Sequence, residues 1–126
     1  MKNIKVLDCT LRDGGLALED AHINKYKHKI FTHSIKKKFL KKVQKTKIEI
    51  IEIGSIEISK ENKKKFSIYQ SIQDVSQSIP KNKSKNQIYT ALFKGPDTPI
   101  ENIPKWKPSY CEGIRVIIRY LSLIHI

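Results

Sequence analysis

The sequence predicts an α/β domain built on a parallel sheet, and three observations lead there. Short apolar segments rich in β-branched residues alternate with a segment pattern in which apolar residues recur every three to four positions. That alternation implies right-handed βαβ units and strands that run the same way. The chain has 126 residues, enough for one domain with a modest core and no more.

The elements follow in order. Ile4–Asp8 (IKVLD) reads as a short buried strand, and residues 9–15 as a polar turn ending in glycine. Residues 16–32 read as a loop. From Ser34, a plausible N-cap, the period changes: Ile35, Phe39, Leu40 and Val43 share one face of a helix expected over 34–46, with lysines on the other. Ile48–Ile53 (IEIIEI) is a strand, closed by Gly54–Ser55. Ser59 is placed to cap a second helix over 60–78, with Phe66, Tyr69, Ile72, Val75 and Ile79 inward and Pro80 as the stop. After a polar loop, Gln87–Phe93 (QIYTALF) is the third strand. Residues 96–110, rich in proline, form an irregular connection, and Gly113–Tyr120 (GIRVIIRY) is the fourth strand. Leu121–Ile126 (LSLIHI) breaks the pattern where a helix should begin. The expectation is one domain over 1–120 and a non-native or truncated tail over 121–126.

Composition narrows the class. Apolar residues make up 39% of the chain and the mean hydropathy is −0.45, a globular composition. No apolar run approaches a membrane span and no signal peptide is read, so a cytoplasmic location is expected. Cys9 and Cys111 show no metal-type or disulfide-framework spacing, which also suits a reducing compartment. The net charge is +13, but it is almost all lysine, with Arg12, Arg115 and Arg119 the three arginines. Aromatic residues are not interleaved with the lysine runs. A basic nucleic-acid-binding module is the alternative from another class, but base readers use arginine forks and single-strand binders use aromatic platforms, so the pattern argues against it. Lys36–Lys38, Lys41–Lys42 and Lys63–Lys65 read as solvated helix faces.

In parallel α/β folds the functional residues lie just past the C-terminal ends of strands. Arg12 and Asp13 hold that place after the first strand and Glu52 at the end of the second. Thr90 lies on the third strand, and Arg115 and Arg119 share a side of the fourth. Asp13 offers a hard carboxylate oxygen to Mg²⁺ or Mn²⁺, and Arg12 can donate to an oxyanion forming on a substrate carbonyl. Gly14 and Gly15 allow close backbone approach or positive φ. Thr90 and an inward-facing Arg115 are candidates for binding a substrate anion. The same Arg-Asp-Gly string also makes an ordinary turn in which the aspartate caps a local amide. His22, His28 and His33 match no compact ligand spacing and read as surface loop histidines. Cys9 reads as a small buried filler in the turn and Trp106 as a loop anchor.

The string VLDCTLRDGG, followed one βα unit later by IEIIEIGS, resembles the DRE-TIM metallolyase family over residues 4 to about 120. That family includes 4-hydroxy-2-oxovalerate aldolase, 3-hydroxy-3-methylglutaryl-CoA lyase, isopropylmalate synthase and homocitrate synthase. The double glycine is most similar to its aldolase-like members, with an HMGL-like or pyruvate carboxyltransferase domain. The resemblance implies the N-terminal half, about four βα units, of a TIM (β/α)8 barrel. It implies Asp13 as a ligand to a divalent metal (Mn²⁺ or Mg²⁺), Arg12 as the group that stabilises an enolate or its parent carbonyl, and Glu52 as the support of Arg12 or of the substrate. It implies a 2-oxo acid substrate, with carbon–carbon cleavage or formation through a metal-stabilised enolate. In the parent enzyme a homo-oligomer or an aldehyde dehydrogenase partner is expected. Acyl-CoA condensation, or a lyase acting on HMG-CoA, is the alternative inside the family. The sequence departs from the pattern in two places. It has no His-x-His pair, and Leu16 stands where the aldolases place a catalytic histidine. The metal site is therefore expected to be incomplete here, and the isolated chain inactive and prone to aggregate through its open sheet edges.

Overall fold

The computed structural model describes residues 4–20, 29–57, 66–93, 101, 104–107 and 111–117. Its elements are β1 (Leu7–Asp8), a single π-helical turn (Thr10–Gly14), α1 (Gly15–Asp20), α2 (His33–Val43), β2 (Ile50–Ile56), β3 (Ile68–Tyr69), a 3₁₀ turn (Asp74–Ser78), β4 (Ile88–Phe93) and β5 (Gly113–Val116). The five strands form one sheet in which every pairing is parallel, in the order β1-β2-β4-β5. β3 pairs with β2 at Ser55 and Ile56, beyond the point where β1 pairs at Ile50 and Ile51. Since β4 takes the other edge of β2, β1 and β3 share one edge in tandem. The expected α/β class with a parallel sheet is what forms. No helix among the described residues is long and apolar enough to cross a membrane.

Period-2 alternation decides which side of the sheet each residue serves. Ile51, Ile53, Tyr89, Ala91 and Phe93 join the core under α2, where Leu40 and Val43 meet them. Glu52 and Thr90 pair directly in register and take the opposite face. Gln87 ties the layers together. Its side-chain amide donates to the carbonyls of Val43 (2.7 Å) and Ile48 (2.9 Å), satisfying a helix-end acceptor that burial would otherwise leave unpaired.

Several expected elements differ, the first strand among them, which is cut to Leu7–Asp8 with Ile4 and Val6 exposed. The first helix begins at His33, capped by the Thr32 hydroxyl, which accepts from the Ile35 amide at 3.3 Å, rather than by Ser34. Its inward face is turned by one residue: Lys36, Leu40 and Val43 are buried, whereas Ile35 is exposed. The second helix does not form over the described part of 60–78. Ser67 and Tyr69 instead hydrogen-bond to β2, with the Ser55 and Glu57 amides donating to their carbonyls at 2.8 and 2.9 Å. A spacing of three serves a 3₁₀ turn as well as an α-helix, and Val75 is buried within that tighter turn with Ile72 buried just before it. Part of the expected loop is helical as well, since α1 continues directly from the π-helical turn.

Gly54 does not end the second strand. β2 runs through it to Ile56, with a register shift between Glu52 and Ser55 that marks a β-bulge. A Cβ at Gly54 would lie 2.5 Å from Tyr69 Cε2 and 2.7 Å from the Ser67 carbonyl oxygen. The missing side chain is therefore what lets β3 approach. Gly54→Ala is expected to lower stability by about 1–3 kcal/mol through overpacking. A urea midpoint unchanged from wild type would refute that reading.

Candidate functional site

The turn after β1 is shaped by its own side chains. Asp8 accepts from the Thr10 amide at 3.0 Å and from the Thr10 hydroxyl at 3.1 Å, folding the chain back. Leu11 is buried in the core and anchors the turn, which sets Arg12 and Asp13 beside the C-terminal end of the sheet. Gly14 and Gly15 do not adopt positive φ; no described residue does. Gly15 packs its bare Cα against Ser67, whose hydroxyl would have to turn away to admit a Cβ there.

Glu52 is the centre of the arrangement. Its side chain is fully buried and is held by two guanidinium groups. Arg12 Nε donates to Oε1. Arg115 grips the carboxylate with two nitrogens, Nε to Oε2 at 2.7 Å and Nη2 to Oε1 at 2.8 Å. The Cys9 thiol approaches Oε1 at 3.9 Å. Burial pushes the Glu52 pKa up, but the hydrogen bonds and charges of Arg115 and Arg12 outweigh it, so the carboxyl sits below its ordinary range and stays ionised. The hydrogen bonds to Glu52 in turn raise the pKa of Arg115. On its far side, Arg12 Nη1 pairs with Asp13 Oδ1 at 2.8 Å, and Asp13 is largely exposed.

The structure thus brings together Arg12, Asp13, Glu52 and Arg115. Thr90 stands opposite Glu52 in the ladder and next to Gly113, with its hydroxyl buried and without a hydrogen-bond partner. Arg119, His22 and His28 lie outside the described residues, as do Lys63–Lys65 and the 121–126 tail. Trp106 anchors its loop by donating from Nε1 to the Cys111 carbonyl at 3.0 Å.

Two readings of single residues are corrected. His33 is not a surface loop histidine. It opens α2, and its Nδ1 lies 2.8 Å from the Ser78 hydroxyl. Lys36 is not part of a solvated face. It is fully buried, with Nζ donating to Tyr69 Oη at 2.9 Å and to the Phe66 carbonyl. The signal for Lys36 was in the sequence: it stands four residues before Leu40 and seven before Val43, on the face those two define.

Fitness for a divalent cation is a matter of ligand number. Mg²⁺ takes about six oxygens in octahedral array. Glu52 is consumed by two arginines, Asp8 by its own turn, and one Asp13 oxygen by Arg12. No group of three or more His, Cys, Asp or Glu residues able to hold a metal occurs among the described residues. These residues alone do not make a metal site. What they do make is a pair of guanidinium groups, fixed in orientation by one buried carboxylate, on one face of a parallel sheet.

Comparison of the chain with family models, with curated proteins and with solved structures finds no match in any of the three.

Proposed function

We propose that this chain carries the arginine–carboxylate part of the active site of a DRE-TIM-type carbon–carbon lyase, with a 2-oxo acid as substrate. The observation that supports the reading most is the buried Glu52 holding Arg12 and Arg115 together beside Asp13. In this reading Arg12 donates to the oxyanion that develops on the substrate's 2-oxo group, and Glu52 fixes the guanidinium so that it need not reorganise as charge appears. Arg115, half exposed on the same face, receives the substrate carboxylate, and Thr90 offers its buried hydroxyl beside it. Asp13 contributes one oxygen to a divalent metal whose other ligands these residues do not supply, so no step is drawn through the metal. The parallel order β1-β2-β4-β5, with β3 as a side strand, suits the first half of a (β/α)8 barrel. The double glycine favours aldol cleavage of a 4-hydroxy-2-oxo acid over acyl-CoA condensation.

The test is binding of oxalate, a planar mimic of the pyruvate enolate, to the isotopically labelled chain. Oxalate is expected to shift the Arg12 and Arg115 side-chain NMR signals at millimolar concentration, a binding energy of about 4 kcal/mol. Sulfate and acetate at the same ionic strength are expected to shift them far less. Equal shifts with all three anions, or none with oxalate in the folded chain, would overturn the reading.

A further inference from the structure

On the helix side of the sheet, away from Glu52, four side chains from three elements meet. Lys36 comes from α2, Tyr69 from β3 and Ser78 from the 3₁₀ turn, and all three are buried. His33, one turn before Lys36 on α2, is half-buried and is the member of the four that reaches solvent. Lys36 Nζ lies 2.9 Å from Tyr69 Oη, Tyr69 Oη lies 2.5 Å from Ser78 Oγ, and Ser78 Oγ lies 2.8 Å from His33 Nδ1.

The chemistry of the donors fixes the direction of this series. An ammonium has donors and no acceptor, so Lys36 donates to the Tyr69 oxygen. Lys36 also donates to the Phe66 carbonyl, which pins Nζ in place. The one proton of the Tyr69 hydroxyl is then free for Ser78 Oγ, and the one proton of Ser78 for His33 Nδ1. That last bond needs a neutral imidazole with its proton on Nε2. The imidazole is held in place, stacked on the Tyr69 ring with centroids 5.9 Å apart and edge-on to Phe66 at 5.0 Å.

We infer that Lys36, Tyr69, Ser78 and His33 form a proton-relay site, through which a buried ammonium exchanges its proton with solvent without the fold opening. The step is balanced. Lys36 gives a proton to Tyr69 Oη, Tyr69 gives its own to Ser78 Oγ, and Ser78 gives its own to His33 Nδ1. The amine is left neutral and the imidazole becomes the cation, which returns a proton to water from Nε2. The two ends therefore share one positive charge and do not both carry it readily.

Several charged groups act on the series. Glu19 of α1 acts on Lys36, His33 and Tyr69, Asp74 of the 3₁₀ turn and Lys37 of α2 act on His33, and Cys111, just before β5, acts on Tyr69. Burial brings Lys36 down to about 8 with Glu19 opposing, and burial with Lys36 and Lys37 beside it lowers His33. Both ends are lowered, so Lys36 remains the more basic and holds the proton at rest, and the imidazolium is a passing state that hands its proton on to water.

The measurement is the exchange rate of the Lys36 ammonium protons with water, read from its ¹⁵Nζ signal. In the wild type the rate is expected to be independent of urea well below the unfolding transition. A rate that rises with urea at the slope of global unfolding would overturn the relay, because exchange would then need the chain to open. Ser78→Ala breaks the series in the middle and is expected to slow exchange about tenfold or more, with Ser78→Thr restoring it. His33→Gln keeps a polar group at the mouth but cannot hold a proton, and is expected to slow exchange to a similar degree. Folding of each variant is read from the amide spectrum. An unchanged rate in either folded variant would overturn the inference, and the wild-type urea series decides the question if neither folds.

Discussion

Glu52→Gln is expected to destabilise the chain by about 3–5 kcal/mol at neutral pH, the usual cost of removing one partner from a buried ion pair. The glutamine keeps the shape and loses the charge, so the loss reports electrostatics and not a cavity. The two arginines do not contribute equally. Arg115 is about half exposed, and water screens its share. Arg12 is only 15% exposed and would keep Asp13 alone as a partner, so it accounts for most of the cost. Glu52→Gln with Arg12→Gln is therefore expected to recover more stability than Glu52→Gln with Arg115→Gln. The sign with pH follows from the direction of the shift. The folded-state pKa of Glu52 lies below its ordinary value, so its contribution is present above the unfolded carboxylate range and is lost as pH falls through the folded value. Urea melts at pH 7 and pH 3 check both points, and a variant as stable as wild type at pH 7 would remove Glu52 from its central place.

Lys36→Met is expected to act in the opposite direction and stabilise the chain at pH 7. A buried ammonium is costly, and an unbranched apolar side chain of similar length fills its place. Burial lowers Lys36 from 10.5 to about 8, so the folded chain holds fewer protons than the unfolded one between those values. Stability therefore rises with pH across that window, by about 3 kcal/mol from Lys36 alone. Other groups oppose the later part of the rise. Burial pushes Cys111 up to about 11 and raises Tyr69 further still, so the folded chain keeps protons that the unfolded one gives up above pH 9. The net gain in wild type is expected between pH 8 and 9. Thermal midpoints should climb over that unit in wild type and stay flat in Lys36→Met, which should melt higher at pH 7 by the equivalent of about 1–3 kcal/mol. A variant that melts lower at pH 7, or one that keeps the climb, would show that Lys36 is not the group responsible.

Much of the sheet was legible because its strands obey simple alternation. IEIIEI and QIYTALF place Ile51, Ile53, Tyr89 and Ala91 on one side and Glu52 and Thr90 on the other, and that is how they pack. The second helix misled because Phe66, Tyr69, Ile72 and Val75 stand three apart, a spacing compatible with α-helical, 3₁₀ and mixed structure alike. Which one forms was decided by backbone groups of β2 that pair with Ser67 and Tyr69. Gly54 read as a terminator because glycine usually is one, whereas a strand approaching from 14 residues downstream needed its bare Cα. Lys36 was assigned to water by residue type although its spacing from Leu40 and Val43 was correct. For the site, Arg12 and Asp13 were legible from their place after the first strand; Glu52 was picked out as a strand end, whereas β2 runs on past it to Ile56 and the residue stands inside the ladder opposite Thr90. The grip of Arg115 on Glu52 was not legible, because it depends on sheet order and on which way the fourth strand faces.

That grip also sets a timetable. Glu52 is 40 residues from Arg12 and 63 from Arg115 along the sequence. During synthesis from the N-terminus, its carboxylate can find Arg12 as soon as β1 and β2 pair, but it must wait for β5 to emerge before the second guanidinium arrives. Contacts of such separation are slow to form because long loops must close first. Until then the nascent sheet holds a carboxylate that burial disfavours and that only half of its counter-charge supports. β5, the last of the described strands to leave the ribosome, is thus the one that completes the charge balance of β2, and a ribosome stalled before Arg115 would expose a chain whose sheet has begun to assemble around an unfinished ion cluster.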